Sequence, residues 1–331
     1  MKILVSGGTG FVGTAVTESL LALGHEVHTI GRSTPSFCDK TKNRYHHTFD
    51  LTKDDLPKSL MSGTEIFFHI AAKAGVWGSY SQFFSANVTA TRKILTACQS
   101  YHIPKLIYTS TPSVVFSQKP ISNGTEALPY VQNGFSPYAK TKSIAEKEVL
   151  KAHMPGKLQT IALRPHLVWG KGDPHLLPRV IQRHRAGKLK IIGDGTNMVD
   201  LTHIDNVAHA HICAMQAMLK NENLGGKPYF ISQDEPVYLW DWLNQLFQLL
   251  ELPPLYQSLN FKTAFLIGSG LESLWSLLNL KNEPPMTRFV ACQLAHDHWF
   301  SIKSAERDLL YKPVKKMNQA MDETLPWLQS L

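Results

Sequence analysis

Tyr138 and Lys142 stand four residues apart in the stretch Ser-Pro-Tyr-Ala-Lys-Thr-Lys, residues 136–142, and together they could move a proton. The Ser-Pro pair suits a helix N-cap and first turn, and a helix over 138–153 would place both side chains on one face, with Lys140 on the other side. A phenol has a pKa of about 10 in water, and a nearby ammonium should lower it. The pair is therefore a candidate general acid and base.

Hydroxyl side chains cluster just upstream, at the end of the strand-like run KLIYTST. Ser110, Thr111 and Ser113 would lie at the carboxyl edge of a parallel sheet, where ligands bind. One of these hydroxyls could hold a carbonyl oxygen beside the tyrosine.

Residues 3–13, Ile-Leu-Val-Ser-Gly-Gly-Thr-Gly-Phe-Val-Gly, predict a strand that breaks into glycines and opens a helix. Such a turn needs residues without Cβ, because the backbone must approach a pyrophosphate while the helix N-terminus supplies amide donors and partial positive charge. The predicted cofactor-binding residues of this turn are Gly7, Gly8, Thr9, Gly10, Phe11, Val12 and Gly13.

The residues at the end of the second predicted strand indicate which nicotinamide cofactor binds. An acidic residue usually binds a free adenosine ribose there, about 20 residues after the glycines, whereas this sequence has Gly31-Arg32-Ser33. Arg32 would pair with a 2′-phosphate and Ser33 could donate to it, so the prediction is NADP(H); a solvated surface arginine is the alternative. Asp50 and Leu51 follow the third strand, where a carboxylate could accept from the adenine amine.

The N-terminal half alternates β-branched runs with amphipathic segments, a pattern that indicates a parallel sheet covered by helices on both faces. Helices are predicted over 11–23, 81–101 and 138–153. The predicted strands are KILVSG, EVHTIG, RYHHTFD, EIFFHIAA, KLIYTST and TIALRP. We therefore expect an α/β fold, a Rossmann-type doubly wound parallel sheet with a smaller, mostly helical C-terminal substrate lobe.

The expected organisation has two lobes. Residues 1–168, with returning elements at about 196–235, would form the NADP-binding domain, and residues 169–195 and 236–331 the substrate-binding lobe. After Pro165 the pattern changes, with two short strand-like runs, LKIIG and PYFIS, around a helix near 205–219. No flexible linker is evident, so we expect a cleft between the lobes.

The composition and charge of the chain argue against several other classes of function. The chain has 331 residues, a formal net charge of +8 and a pI near 9.2, but its Lys and Arg residues are scattered, which argues against nucleic-acid binding. Cys38, Cys98, Cys213 and Cys292 lack C-x-x-C spacing, and the 15 histidines form no ligand set, so no metal is expected. The N-terminus leads straight into a strand, and a cytoplasmic location is expected.

The most apolar long stretch is FKTAFLIGSGLESLWSLLNL, residues 261–280. Lys262 and Glu272 interrupt it, and its uncharged run is too short for a membrane span. Two interpretations stay open. The segment is a helix lining an apolar pocket or core, or an interfacial helix in peripheral contact with lipid.

These residues resemble the extended short-chain dehydrogenase/reductase family over nearly the whole chain, through GGTGFVG, HIAA, NVTAT, TSTPSVVF, YAKTK and LRP. The C-terminal half is similar to the 3-beta-hydroxysteroid dehydrogenase branch, through VDLTHIDNVAHAH, GGKPYFISQDEPV and PPMTRFVACQLAHDHWFSIKSAERDLLYKP. That branch includes sterol-4-alpha-carboxylate 3-dehydrogenases and bacterial 2-alkyl-3-oxoalkanoate reductases, and the loop KAGVWGSY looks most like the latter. Ala90 and Thr111 depart from the family's usual Gly and Ser; threonine keeps the hydroxyl.

The resemblance implies roles for named residues. Tyr138 would handle the proton on the substrate oxygen, Lys142 would also hold the nicotinamide ribose, and Thr111 would polarise the oxygen. Asn87 would be a structural or proton-relay residue. The cofactor site would also include His69, Ala71, Ala72, Lys73, Pro165 and Val168. Substrate contacts are expected at Gly75, Trp77, Ser113, His166 and Arg288, although His166 could be an ordinary hydrogen-bonded histidine and Arg288 a surface ion pair.

The resemblance implies an NADP(H)-dependent oxidoreductase that interconverts a ketone and a secondary alcohol on a hydrophobic small molecule. It also implies a homodimer as a candidate assembly. Two alternatives stay open: a nucleotide-sugar epimerase or dehydratase with tightly bound NAD, and a sensor that binds NADPH without chemistry.

Overall fold

The structure, a computed structural model, describes residues 1–33, 42–132 and 136–331. In these ranges the strands are β1 Lys2–Ser6, β2 Glu26–Gly31, β3 Arg44–Thr48, β4 Thr64–His69, β5 Lys105–Thr109, β6 Ile121–Gly124, β7 Gln159–Pro165, β8 Val168–Trp169, β9 Ile191–Ile192, β10 Met198–Val199, β11 Thr202–His203, β12 Lys227–Ile231, β13 Val237–Tyr238, β14 Ser258–Leu259 and β15 His298–Phe300.

The α-helices of the described ranges follow in the same chain order: α1 Phe11–Ala22, α2 Lys58–Met61, α3 Tyr80–Phe84, α4 Ala90–Ser100, α5 Pro137–Lys151, α6 Leu176–Arg185, α7 Ile204–Lys220, α8 Leu239–Leu249, α9 Phe261–Leu277, α10 Arg288–Ala295, α11 Lys303–Leu309 and α12 Met317–Gln329. A π-helical turn, Ser85–Thr89, joins α3 to α4, and a short 3-10 turn, Pro112–Val114, follows β5.

Seven parallel strands form the central sheet in the order β12-β7-β5-β4-β1-β2-β3. Side chains of β1 alternate between its two faces, as the period of a strand requires: Ile3 and Val5 pack in the core beneath α1 and α7, and Leu4 packs in the core beneath α4 and α5. The expected doubly wound, Rossmann-type α/β fold is confirmed.

Several predicted element bounds needed correction. The fourth strand ends at His69, and the fifth ends at Thr109, so the hydroxyl cluster follows the strand instead of ending it. The helix predicted over 81–101 is interrupted by the π-helical turn, which inserts a residue into the helical repeat. The PYFIS run, which lies within the elements at about 196–235 expected to return to the cofactor domain, contributes most of the edge strand β12 of the central sheet, paired with β7.

A second apolar core lies among the later helices. Trp169, Trp240, Trp242, Leu246 and Phe247 are buried in it. A four-stranded sheet, in the order β13-β10-β15-β6, lies beside these elements. Across the described ranges no helix is long and apolar enough to cross a membrane.

Candidate active site

The glycine turn between β1 and α1 is tightly packed, with backbone atoms close to its glycines. Gly7 has a φ of +71°, and a Cβ there would lie 2.9 Å from the Ala71 backbone. A Cβ on Gly13 would lie 2.0 Å from the Gly7 carbonyl oxygen, to which the Gly10 amide donates at 2.9 Å. Only glycine permits this close approach of helix and strand.

The start of α1 suits an anionic group. Gly10 is the N-cap, no side chain caps the helix, and its first turn contains no acidic residue. The first amides of a helix have no partner within the helix, so they can donate to a ligand oxygen. The turn, with Thr9, Phe11 and Val12 at the opening of the helix, therefore fits the pyrophosphate of a dinucleotide.

Arg32 and Ser33 are exposed directly after β2. Asp50, after β3, lies within electrostatic reach of Arg32. Hydrogen bonds from Thr52 are the main cause that lowers the pKa of the Asp50 carboxyl, and the charge of Arg32 adds to them. Asp50 Oδ1 accepts from both the backbone amide and the hydroxyl of Thr52, while the Leu51 side chain is buried in the sheet core. The edge of the sheet thus offers a cation where an adenosine ribose would lie.

Lys142 is buried beneath the end of β5. Its Nζ donates to the Thr109 carbonyl at 2.7 Å and lies 4.1 Å from the centre of the Tyr108 ring. The helix that carries it begins at Pro137, capped by Ser136, whose hydroxyl accepts from the Ala139 amide. Tyr138 lies one turn before Lys142 on the same face, and Lys140 is exposed, as the helical spacing requires.

Burial dominates the titration of this pair in the protein alone. It raises the pKa of Tyr138 to about 12, and a hydrogen bond with Thr111 opposes the rise. It lowers the pKa of Lys142 to about 7, opposed by the Glu146 carboxylate. The expected lowering of the phenol pKa by the ammonium is not found here, because the phenolate loses its solvation and the ammonium is directed to Thr109.

Thr111 and Ser113 form a hydrogen-bonded hydroxyl pair next to Tyr138. Thr111 Oγ1 accepts from the Ser113 amide and donates to Ser113 Oγ, both at 3.2 Å. Ser110 Oγ is buried and, within the described ranges, has no hydrogen-bond partner. Thr111 is the hydroxyl of this cluster that lowers the pKa of the Tyr138 phenol against the effect of burial.

Asn87 lies in the π-helical turn and binds both backbone groups of Lys73. Its Oδ1 accepts from the Lys73 amide at 2.7 Å, and its Nδ2 donates to the Lys73 carbonyl at 3.2 Å and to Thr141 Oγ1 at 3.1 Å. The side chain thus ties the loop after β4 to α5. These contacts favour the structural alternative for Asn87.

His69 bridges the glycine strand and the same helical segment. Its Nδ1 lies 2.8 Å from Ser6 Oγ, and its Nε2 lies 2.8 Å from Thr91 Oγ1. Burial is the main cause that lowers its pKa to about 3, so the ring is neutral at physiological pH. Ser6 Oγ also accepts from the Ala71 amide, at 3.2 Å. His69 and Ala71 therefore support the floor of the glycine turn.

The other predicted cofactor residues lie in the loop after β4, at the end of β7 and in β8. Ala72 is exposed in the loop after β4. Pro165 is the last residue of β7 and pairs with Ile231, and Val168 opens β8 beside Thr202.

A cavity of about 340 Å³ lies beside the start of α5. It is lined by Val76, Trp77, Gly78, Pro137, Glu272, Ser273, Ser276, Thr287, Arg288 and Phe289. Trp77 and Arg288 are thus brought together next to the residue that precedes Tyr138. The residues Gly75, Ser113 and His166, also expected to contact substrate, do not line this cavity.

Two of the expected substrate residues have protein partners. Arg288 pairs with Glu272, which accepts from its Nε and from its backbone amide, both at 2.7 Å. His166 is buried, with its Nε2 2.6 Å from His298 Nδ1, and burial lowers its pKa. The ion-pair alternative for Arg288 and the hydrogen-bonded alternative for His166 match these contacts.

A buried ion pair below Lys142 was missed in the sequence. Arg164 donates to Glu146 through Nε and a terminal nitrogen at 2.5–3.2 Å, and Tyr130 OH donates to the same carboxylate at 2.7 Å. Both charged side chains are at most 1% exposed. Glu146 follows Lys142 by four residues, so helical spacing could have placed it on the same face; its partners come from elsewhere in the chain.

The cysteines and histidines show no metal-binding arrangement where the structure describes them. No group of three or more His, Cys, Asp or Glu side chains there could hold a metal ion. Cys98, Cys213 and Cys292 are free thiols, and Cys38 lies outside the described residues.

Comparison with known proteins places the chain among relatives of similar length. The model of the 3-beta hydroxysteroid dehydrogenase/isomerase family matches residues 4–260. A 2-alkyl-3-oxoalkanoate reductase of Stenotrophomonas maltophilia is 42% identical over 324 residues, covering 97% of each chain. A decarboxylating sterol-4-alpha-carboxylate 3-dehydrogenase of Homo sapiens is 32% identical over 332 residues, covering 98% of this chain and 87% of the relative.

Solved structures share the fold over the full chain. The crystal structure of gox2253 has a TM-score of 0.78 at 25% identity, covering 99% of this chain and 98% of its own. UDP-glucuronic acid 4-epimerase from Bacillus cereus, in complex with NAD, has a TM-score of 0.77 at 23% identity, covering 100% and 99%. The latter likeness concerns the fold alone. On the family match and the sequence relatives, the chain belongs to the 3-beta hydroxysteroid dehydrogenase/isomerase family, a branch of the extended short-chain dehydrogenases/reductases.

Proposed function

We propose that this protein is an NADP(H)-dependent oxidoreductase that interconverts a ketone and a secondary alcohol on a hydrophobic substrate. The observation that carries the proposal is that Thr111 lies close enough to Tyr138 to lower the pKa of the phenol, at the carboxyl edge of a sheet whose first turn fits a pyrophosphate. In carbonyl reduction, one side chain must donate a proton to the carbonyl oxygen, and a second hydroxyl can hydrogen-bond to the same oxygen.

Each residue has a separate role in the proposed reduction. The nicotinamide, when bound, supplies a hydride to the carbonyl carbon. Tyr138 donates its proton to the carbonyl oxygen, while Thr111 holds that oxygen by a hydrogen bond. Lys142, anchored on Thr109 one helical turn after Tyr138, would hold the nicotinamide ribose when the cofactor is bound. Oxidation of the alcohol reverses these steps.

The choice of NADP(H) rests on Arg32. It is an exposed cation directly after β2, and the residues Gly31, Arg32 and Ser33 include no carboxylate that could bind a ribose 2′-hydroxyl. A guanidinium can bind a phosphate through two parallel hydrogen bonds, and this geometry favours a 2′-phosphate.

Among hydrophobic substrates, a 2-alkyl-3-oxoalkanoate is the better supported class, with the sterol class second. The support is the 42% identity to the Stenotrophomonas maltophilia reductase over 97% of both chains. The cavity that contains Trp77 and Arg288 is the proposed substrate site, and a substrate carboxylate there would share Arg288 with Glu272. We assign residues 1–168 and about 196–235 to the cofactor domain, which β12 and α7 support by packing on the central sheet.

The test is NADPH oxidation with 2-alkyl-3-oxoalkanoates, ketosteroids and nucleotide sugars as substrates, and with NADH as the control cofactor. Turnover of a ketone with NADPH is expected, and Tyr138→Phe should lower kcat about a thousandfold while NADPH still binds, because the variant lacks only the transferable proton. Lys140→Met, on the exposed side of the same helix, is the matched control and should leave kcat unchanged. Tightly bound NAD that co-purifies, with activity on a nucleotide sugar, would establish the epimerase alternative instead. NADPH binding without turnover of any substrate would establish the sensor.

A further inference from the structure

The backbone on both sides of Arg32 is held by hydrogen bonds from β3 and the residue after it. The Phe49 amide donates to the Gly31 carbonyl at 2.9 Å, on the residue before Arg32. The paired register of β2 and β3 ends at Gly31. On the residue after Arg32, the Ser33 carbonyl oxygen lies 3.1 Å from Nε2 of His46. A side chain of β3 therefore holds the backbone at a point that the sheet pairing does not reach.

The hydrogen-bond partners of His46 determine which ring nitrogen carries the proton. The Ser33 carbonyl can only accept, so His46 Nε2 must donate to it. His46 Nδ1 lies 2.9 Å from the hydroxyl oxygen of Thr29, which is opposite His46 on β2 and also lies 3.2 Å from the Tyr45 carbonyl. Burial is the main cause that lowers the pKa of His46. The ring is therefore neutral at neutral pH and donates to Ser33 without carrying a charge.

The imidazole of His46 lies between the glycine turn and the Arg32 segment. A Cβ on Gly31 would lie 3.1 Å from Thr9 Oγ1 and 3.3 Å from His46 Cε1, so both side chains approach the open face of this glycine. A dinucleotide that extends from a pyrophosphate at the glycine turn to a 2′-phosphate at Arg32 would pass this point. The ring is thus beside the segment that would receive the adenosine ribose.

We infer that His46 is a positioning residue for recognition of a 2′-phosphate: by holding the Ser33 backbone, it fixes Arg32 directly after β2. A guanidinium that binds a phosphate through two parallel hydrogen bonds needs a defined position, and the Arg32 side chain is exposed and flexible. Ordering its backbone before the ligand arrives reduces the entropy that is lost on binding. The inference rests on the proposed use of NADP(H), to which it adds a residue on the neighbouring strand.

The test is binding of adenosine 2′,5′-bisphosphate and of 5′-AMP to the full chain, measured by isothermal titration calorimetry without turnover. The two ligands differ only in the 2′-phosphate. His46→Ala should weaken binding of the bisphosphate about 3- to 10-fold, through loss of the hydrogen bond that orders Arg32. Binding of 5′-AMP should stay within about twofold of the parent, because that ligand makes no contact with Arg32 through a 2′-phosphate.

Two further substitutions separate the hydrogen bond from the volume of the ring. His46→Gln keeps an uncharged N–H donor and should restore the affinity for the bisphosphate to within about twofold of the parent. His46→Phe fills similar space without a donor and should show the same loss as His46→Ala, which keeps the test valid if the smaller side chain impairs folding. Circular dichroism is measured on every variant.

His47→Ala is the matched control. His47 is the next residue of β3, is partly buried like His46, and faces the other side of the strand, with its Nε2 2.9 Å from His28 Nδ1. This variant should bind both ligands within about twofold of the parent, because it removes a histidine from the same strand without changing the contact to Ser33.

A double-mutant cycle tests whether His46 acts through Arg32. In the Arg32→Ala background, His46→Ala should change the affinity for the bisphosphate by less than about twofold, because the guanidinium that it positions is gone. The inference is overturned if His46→Ala weakens both ligands alike, if its effect is the same with and without Arg32, or if His47→Ala has an equal effect.

Failure of this inference is distinguishable from failure of the proposed function. A parent chain that binds the bisphosphate no more tightly than 5′-AMP would overturn the use of NADP(H) and this inference together. A parent chain that prefers the bisphosphate, with the same preference in His46→Ala, would overturn the role of His46 and leave the proposed cofactor in place.

Discussion

Lys142 Nζ donates to the backbone carbonyl of Thr109 at 2.7 Å, and this contact sets the relation between α5 and the end of β5. Thr109 is the last residue of its strand, and Thr111 follows two residues later. Tyr138 precedes Lys142 by one turn. One buried ammonium therefore aligns the proton donor on the helix with the hydroxyl beyond the strand.

Lys142→Met should flatten the pH dependence of stability. Burial lowers the folded-state pKa of Lys142 from 10.5 to about 7, so between these values the unfolded chain binds the proton and the folded protein does not. The unfolding free energy of the parent protein should then rise with pH relative to the variant, by about 1–3 kcal/mol from pH 7.5 to 9.5. Urea unfolding of both proteins at both pH values measures the difference in unfolding free energy between parent and variant. The contributions of the other titrating groups are the same in both proteins and cancel in this difference. Parallel pH profiles for the two proteins would show that Lys142 keeps its proton on folding.

Thr111→Val should lower kcat about a hundredfold, because it removes the hydroxyl that interacts with Tyr138 and keeps the side-chain shape. Thr111→Ser restores the hydroxyl and should recover most of the rate, to within about tenfold of the parent. Steady-state kinetics on both variants decide the point. If Thr111→Val keeps the rate of the parent, Ser110 or Ser113 is the hydroxyl that acts, and each is then replaced by Ala in turn.

Arg32→Ala should raise KM for NADPH by about 10- to 100-fold, through loss of charge-assisted hydrogen bonds to the 2′-phosphate. KM for NADH should stay within about threefold, since that cofactor has no phosphate there. Arg185→Ala removes another exposed arginine, on α6, and serves as the control. An equal loss for both cofactors would assign Arg32 to the pyrophosphate or to folding instead of to selectivity.

Gly268→Ala and Gly270→Ala form a matched pair on α9. A Cβ at residue 268 would lie 2.7–3.0 Å from the backbone of Thr287 and Arg288, whereas nothing lies within 4 Å at residue 270. The first change should lower the unfolding free energy by about 1–3 kcal/mol, by pushing α9 off α10. The second should raise it by up to about 1 kcal/mol, through helix propensity. Thermal unfolding compares them, and two equal effects would mean that α9 is not packed closely on Thr287.

Local patterns in the sequence were enough to predict the glycine turn, the helix that carries Tyr138 and Lys142, and the alternating strands. Each of these depends on neighbours a few residues apart: a strand has a period of two, a helix repeats every 3.6 residues, and a turn without Cβ must be built from glycine. The ends of the strands were less predictable, because a strand ends where its pairing with the neighbouring strand ends. β4 and β5 stop at His69 and Thr109, before the runs that resemble strands are complete.

Only the tertiary structure decided which partners the predicted residues have. Lys142 meets Thr109, Arg288 meets Glu272, and His166 meets His298, and each pair joins distant parts of the chain. Spacing cannot predict such pairs, because they depend on how the crossovers stack helices on the sheet. The pKa of Tyr138 shows the physical reason. The nearby ammonium was expected to lower this pKa, but burial, which only the folded chain creates, raises it to about 12.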